Sequence, residues 1–310
     1  MPLKTLTQAL ALSLAIAPAA SNCDQLHALV YRGPTASEGL PESLRDLLVA
    51  SHPDINVTFA GPNEHVKINA ESLSHVDILA QPGGPGAQFM PRLMHSSLRL
   101  ISDTITIADL QKAWKEAKPY ASDVRNFVAG GGRYLGVCLG AFLAGHSPGL
   151  GLIPKGDNVV REIDQKGAQV DDEEDTTIQT DWTFSTGDKR GKTEKRRWLY
   201  FQDGAAFRLS SKSSAKVLGR YSNNGDVAAI LSPFGEGWVA NVGPHPEADE
   251  TWCKSNSDDP LQTTRSMRLI KGADEEAEIK NPEGVRNDIG RDLVQALLSA
   301  SKSKSGSTVP

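Results

Sequence analysis

The segment Gly136-Val137-Cys138-Leu139-Gly140-Ala141 limits the fold more than any other stretch of this chain. It follows Gly131-Gly132-Arg133-Tyr134-Leu135 and leads into Phe142-Leu143-Ala144-Gly145. A short apolar strand thus runs into a single Cys, and a helix of small and apolar residues follows. Such a strand–turn–helix elbow is too sharp for bulky neighbours, so small residues surround the reactive side chain. The amino end of the helix favours thiolate over thiol. Gly243-Pro244-His245-Pro246-Glu247 begins more than a hundred residues further on. A His with a carboxylate two residues later supplies a base and the group that orients it.

The rest of the first half alternates strand and helix. Residues 26–31 form an apolar run ending at Gly33-Pro34, followed by helical spacing over 41–50 with Leu44, Leu47 and Leu48 on one face. Strands are expected at 55–60, 76–80 and 134–137, with a helix over 107–129 interrupted at Pro119. This order predicts an α/β fold, a mostly parallel sheet with helices on both faces. The second half reads as an antiparallel extension. Short strands at 159–160, 199–201, 216–219, 227–231 and 238–242 are joined by turn residues, the last two as a hairpin. That extension would carry His245 back to Cys138. The acidic block 171–175, the basic run 188–197 and residues 254–283 read as solvated loops. Val285, Ile289, Leu293 and Leu297 repeat every four residues, as in a terminal helix, and 299–310 reads as a disordered tail. A single domain over 24–298 results.

The Cys138 elbow, the His245-Pro246-Glu247 segment and Gln81-Pro82-Gly83-Gly84-Pro85-Gly86 together resemble class I glutamine amidotransferases over residues 26–247. Within that superfamily the chain is most similar to fungal secreted proteins with a biotin-protein ligase N-terminal domain, a likeness that includes Val30-Tyr31-Arg32-Gly33-Pro34. The resemblance implies a Cys138/His245/Glu247 triad in which Cys138 attacks, His245 shuttles the proton and Glu247 holds the imidazole tautomer. It also implies an oxyanion loop, with the amides of Gly84 and Leu139 as donors and Gly83 giving the loop room to turn. The expected activity is a cysteine-dependent hydrolase or amidase acting on a small amide or γ-glutamyl-type bond. The alternative is a non-catalytic binding or scaffold protein that keeps the elbow as architecture. The ligase's Gly-Arg-Gly-Arg-type adenylate loop does not occur, and the run Lys189 to Arg197 does not reproduce it. Biotin transfer is therefore not expected.

The resemblance implies a small-molecule or peptide amide as the partner. A formal net charge of −5 does not favour nucleic acid. No C-x-x-C or H-x-x-x-H spacing occurs, so neither a metal nor a cofactor is expected. Residues 1–20 read as a signal peptide. Lys4 precedes the apolar stretch Leu10 to Ala17, and Ala17-Pro18-Ala19-Ala20 offers cleavage sites. The alternative is an uncleaved anchor or a buried helix, but the stretch is shorter than the roughly 20 residues a membrane span needs. Asn56-Val57-Thr58 is a glycosylation acceptor consistent with secretion. Three cysteines in an oxidising compartment leave one thiol over. If Cys138 is the nucleophile, Cys23 and Cys253 are the natural disulfide pair; the alternatives are three free thiols or a bond from Cys23 to another chain. The remaining histidines fit no partner pattern, His146 being the best outsider.

Overall fold

The computed structural model describes residues 25–84, 109–173, 175–248 and 288–301. Eleven strands form one sheet: β1 His27–Tyr31, β2 Asn56–Ala60, β3 Ile78–Gln81, β4 Arg133–Val137, β5 Asn158–Arg161, β6 Thr176–Thr183, β7 Thr193–Phe201, β8 Ala205–Arg208, β9 Lys216–Tyr221, β10 Val227–Phe234 and β11 Gly237–Val242. The helices are α1 Leu40–Ser51, α2 Ala70–Leu73, α3 over 109–117, α4 Ala121–Ala129, α5 Leu139–Leu143 and α6 Asp288–Ser299. A 3₁₀ turn, Lys118–Tyr120, separates α3 from α4 at the expected proline.

The strand order is β2-β1-β3-β4-β11-β10-β9-β6-β7, with β8 pairing β10 and β5 pairing β8. From β2 to β11 every pairing is parallel. From β11 onward every pairing is antiparallel. Strand β11 is the seam, pairing with β4 in parallel and with β10 in antiparallel sense. Parallel strands need cover on both faces, and two apolar clusters provide it. On one face Val124 and Val128 of α4 and Leu139, Ala141 and Phe142 of α5 pack with Leu79, Tyr134 and Val239. On the other, Leu44, Leu47 and Leu48 of α1 and Ile289, Leu293 and Leu297 of α6 pack with Ile78, Leu135 and Ala240. Burying each such side chain contributes about 1.5–3 kcal/mol before chain entropy is counted.

Helix α6 is also tied by polar contacts. Asp292, buried in that helix, accepts from Trp182 Nε1 at 2.9 Å and from the backbone amides of Ser185 and Thr186 at 3.0 and 2.8 Å. Asp292 thus ties α6 to β6 and to the turn that follows it.

Four expectations are corrected. The sheet is not mostly parallel, since six of the eleven strands lie outside the parallel ladder. Strands β6 and β8 were not anticipated, although Ile178, Thr180 and Trp182 are buried alternately along β6, as period two requires. The basic run is not simply a loop: β7 begins at Thr193 and forms a sheet edge. Two of its cations are paired, Arg197 with Asp288 and Lys189 with Glu194 and Asp288. Likewise the acidic block is not wholly solvated, because Glu173 is half-buried against Arg161. Residues 1–20, both Cys23 and Cys253, Val285, the segment 254–283 and the tail beyond 301 lie outside the described residues. Among the described residues no helix is long and apolar enough to cross a membrane.

Candidate active site

Cys138 stands at the carboxyl end of β4, at the turn into α5. Its backbone adopts φ 51° and ψ −110°, a left-handed conformation that a side chain of L configuration rarely takes. Such strain costs on the order of 1–3 kcal/mol and persists only where the surroundings impose it. Here they do. The Cys138 amide donates to Val242 of β11 at 2.9 Å, and its carbonyl accepts from Ala141 and Phe142 at 2.9 and 3.1 Å. Tyr134 Oη donates to the Gly140 carbonyl at 2.8 Å. The small residues of the elbow are also explained: a Cβ on Gly140 would lie 2.1 Å from the Gln81 carbonyl oxygen. Helix α5 has only five residues, so its dipole is small.

His245 follows the seam strand β11 and is 1% exposed. Its Nδ1 lies 2.8 Å from Glu247 Oε1, so Nδ1 donates the hydrogen bond and Nε2 is left for the sulfur side. The second Glu247 oxygen is buried without a hydrogen-bond partner among the described residues. Burial alone would depress the basicity of His245. The charges of Glu247 and Cys138 and the hydrogen bond to Glu247 outweigh it and raise the imidazole well above the ordinary histidine range. The Cys138 and His245 side chains are therefore electrostatic neighbours.

Gly83 lies between them. A Cβ there would meet His245 Cε1 at 2.6 Å and Cys138 Cβ at 3.4 Å. A Cβ on Gly84 would meet Leu139 Cδ2 at 2.1 Å and Cβ at 3.3 Å, so the Pro-Gly-Gly loop lies against the start of α5. The structure thus brings Cys138, Leu139, Gly83, Gly84, His245 and Glu247 together. Asn56 is remote from them, exposed at the start of edge strand β2. His146 is exposed, with Nε2 3.1 Å from the Pro154 carbonyl. Asp77, at the amino end of β3, accepts from the His27 amide at 2.9 Å. A cavity of about 420 Å³ lined by Asp77, Asp123 and Asn126 sits at that same end of the sheet, away from Cys138.

One wall of the site comes from residues to which sequence reasoning gave no role. The Tyr200 carbonyl accepts from the His245 amide at 2.9 Å, and the two rings meet edge to face with centroids 5.7 Å apart. Two residues on, the Gln202 carbonyl oxygen lies 3.5 Å from Cys138 Sγ, which donates to it. Asp203, with φ 45°, and Gly204 complete the turn into β8. Tyr221 lies behind; its burial, then the charges of Glu162 and Cys138, hold its hydroxyl protonated, and that hydroxyl donates to the Ala205 carbonyl at 2.7 Å. Only a pairing of β7 with the His245 segment could have revealed this wall. Among the described residues no cluster of His, Cys, Asp and Glu could hold a metal ion.

No family model matches the chain, and no curated protein matches it. Solved structures resemble it distantly. A ThuA-like protein from Bacteroides uniformis is 11% identical, with 84% of this chain and 97% of that chain covered at a TM-score of 0.41. The exo-β-1,4-mannosidase Op5Man5 from Opitutaceae bacterium strain TAV5 is 12% identical, with 78% of this chain covered at a TM-score of 0.37. This chain spans only 34% of that mannosidase. A cytoplasmic protein from Salmonella typhimurium LT2 is 11% identical, with 79% of this chain and 96% of that chain covered at a TM-score of 0.36. Likenesses this remote decide neither the family nor the chemistry.

Proposed function

We propose that this chain is a secreted cysteine hydrolase of the class I glutamine amidotransferase-like type, acting on a small amide or γ-glutamyl-type bond. The observation that carries the reading is the strained Cys138 beside an imidazole whose far nitrogen is held by Glu247 at 2.8 Å. In such a step the sulfur attacks the carbonyl carbon and His245 receives the thiol proton. His245 then protonates the leaving nitrogen as the C–N bond breaks, and water cleaves the thioester. Glu247 keeps Nδ1 protonated and stabilises the imidazolium. The Gly84 and Leu139 amides are the proposed oxyanion donors, each worth about 3 kcal/mol in the transition state. Export rests on residues 1–20 and predicts a mature chain starting at Ala20 or Ser21.

The test is a panel of primary amides and γ-glutamyl anilides, with the intact mass of the acylated protein recorded during turnover. A thioester on Cys138 that disappears on hydrolysis supports the reading. Turnover that survives Cys138→Ser refutes it. One observation favours a second reading, a binding protein without turnover: Cys138 is only 6% exposed. Tight binding of panel members without acylation would establish that alternative.

A further inference from the structure

The wall that carries Gln202 is held by a partly buried ion pair. Arg161, at the end of β5, donates Nε to both oxygens of Asp203 at 3.0 and 3.1 Å and Nη2 to Oδ2 at 3.0 Å. The two side chains are 10% and 7% exposed. Glu173 and Asp164 add charge to the same guanidinium. Next along the chain, the Glu162 amide donates to the Gly204 carbonyl at 3.0 Å. Residues 161 and 162 therefore fix both ends of the Asp203-Gly204 step, and Asp203 is kept at a positive φ that most residues avoid. The residue just before that step, Gln202, presents its carbonyl to the Cys138 sulfur.

The Cys138 proton is directed at the Gln202 carbonyl, and in the proposed reaction it passes to His245 instead. Donation to a carbonyl stabilises the protonated thiol, whereas transfer to the imidazole produces the nucleophile. We propose that Arg161 and Asp203 are positioning residues that hold the Gln202 carbonyl on the Cys138 thiol, and so set how readily that thiol ionises. The proposal rests on Cys138 being the nucleophile of the preceding section. The other titratable groups that interact with Cys138 are His245, backed by Glu247, and Tyr221, whose hydroxyl also feels the charges of Glu162, Asp203 and Asp226. Loosening the clamp removes the carbonyl from the thiol and leaves His245 as its acceptor.

The experiment is the rate of iodoacetamide alkylation at Cys138, read by peptide mass from pH 5 to 10. It compares the wild type with Asp203→Gly, which suits φ 45° but lacks the carboxylate, and with Arg161→Lys, which loses the fork. Thermal melts report folding. We expect both variants to shift the profile to lower pH, with about tenfold faster alkylation on the acidic limb, since one unit of pH is a factor of ten. A folded Asp203→Gly protein whose profile superimposes on the wild type overturns the proposal, whatever the fate of Arg161→Lys. A His245→Ala control run in parallel separates the two readings. If it leaves alkylation unchanged, the triad reading fails irrespective of the clamp.

Discussion

The two halves of the sheet build the site in different ways. The parallel half, β2 to β4, delivers groups at the carboxyl ends of its strands: the Gly83 loop after β3 and Cys138 after β4. This is where ligands gather in open parallel sheets. The antiparallel half delivers backbone: the carbonyls of Tyr200 and Gln202, held through Arg161 and Asp203. The seam strand β11 belongs to both and places His245 between them. One half supplies the reactive side chain, and the other fixes what surrounds it. If this division holds, changes in the parallel half should act on chemistry, and changes in the antiparallel half mainly on stability and tuning.

The largest effect is expected at Cys138. Cys138→Ser should lower hydrolysis of any cleavable amide by about 10⁴-fold or more while the melting temperature stays close to wild type. A small loss of activity would break the division outright. Next is Asp292→Ala, which strips a buried carboxylate from Trp182 Nε1 and two backbone amides. Orphaned buried donors cost about 1–3 kcal/mol each before relaxation, so urea unfolding should show a loss of about 3 kcal/mol. An unchanged midpoint would show that α6 does not brace the antiparallel half.

Gly83→Ala comes third. Its Cβ would need space 2.6 Å from His245 Cε1 and 3.0 Å from Leu40 Cδ1, and the imidazole is fixed by Glu247 and Tyr200. A displacement near 1 Å at a reacting group costs about 100-fold in kcat. Activity at the wild-type level in this variant would mean that His245 can move freely.

The smallest effect concerns pH. Glu162 is fully buried, and burial, partly offset by the Asn224 hydrogen bond, raises its carboxyl to about 7 from an ordinary 4.5. A folded-state value above the unfolded one means that the folded protein holds the proton more tightly. The associated stability is complete below pH 4.5 and is lost as pH rises through 7, a change of at most about 3 kcal/mol. Glu162→Gln should flatten urea stability between pH 5 and 8 relative to wild type. Parallel curves for the two proteins would exclude Glu162 as the source.

What could be read in advance follows the same division. Close backbone approach leaves letters in a sequence: Gly140 is required by the Gln81 carbonyl, and Gly83 by His245. The His245–Glu247 pair is local, two residues apart, and also legible. The wall was not. Gln202 contributes a carbonyl that every residue possesses, and Arg161 meets Asp203 across 42 residues. The charged blocks misled for a related reason. Charge in a sequence suggests solvent, whereas Glu173 and Arg197 found partners in distant segments. The proposed Cys23–Cys253 bond lies outside the described residues; non-reducing peptide mapping would reveal it.

The measurement that bears most directly on Cys138 as an activated nucleophile is its alkylation by iodoacetamide at pH 7 in the native protein, compared with His245→Ala. We expect selective modification of Cys138 in the wild type and a fall of about tenfold or more when the imidazole is removed, within the usual range for a lost general base. A Cys138 that resists alkylation until the protein unfolds, or that reacts at the same rate without His245, would contradict it.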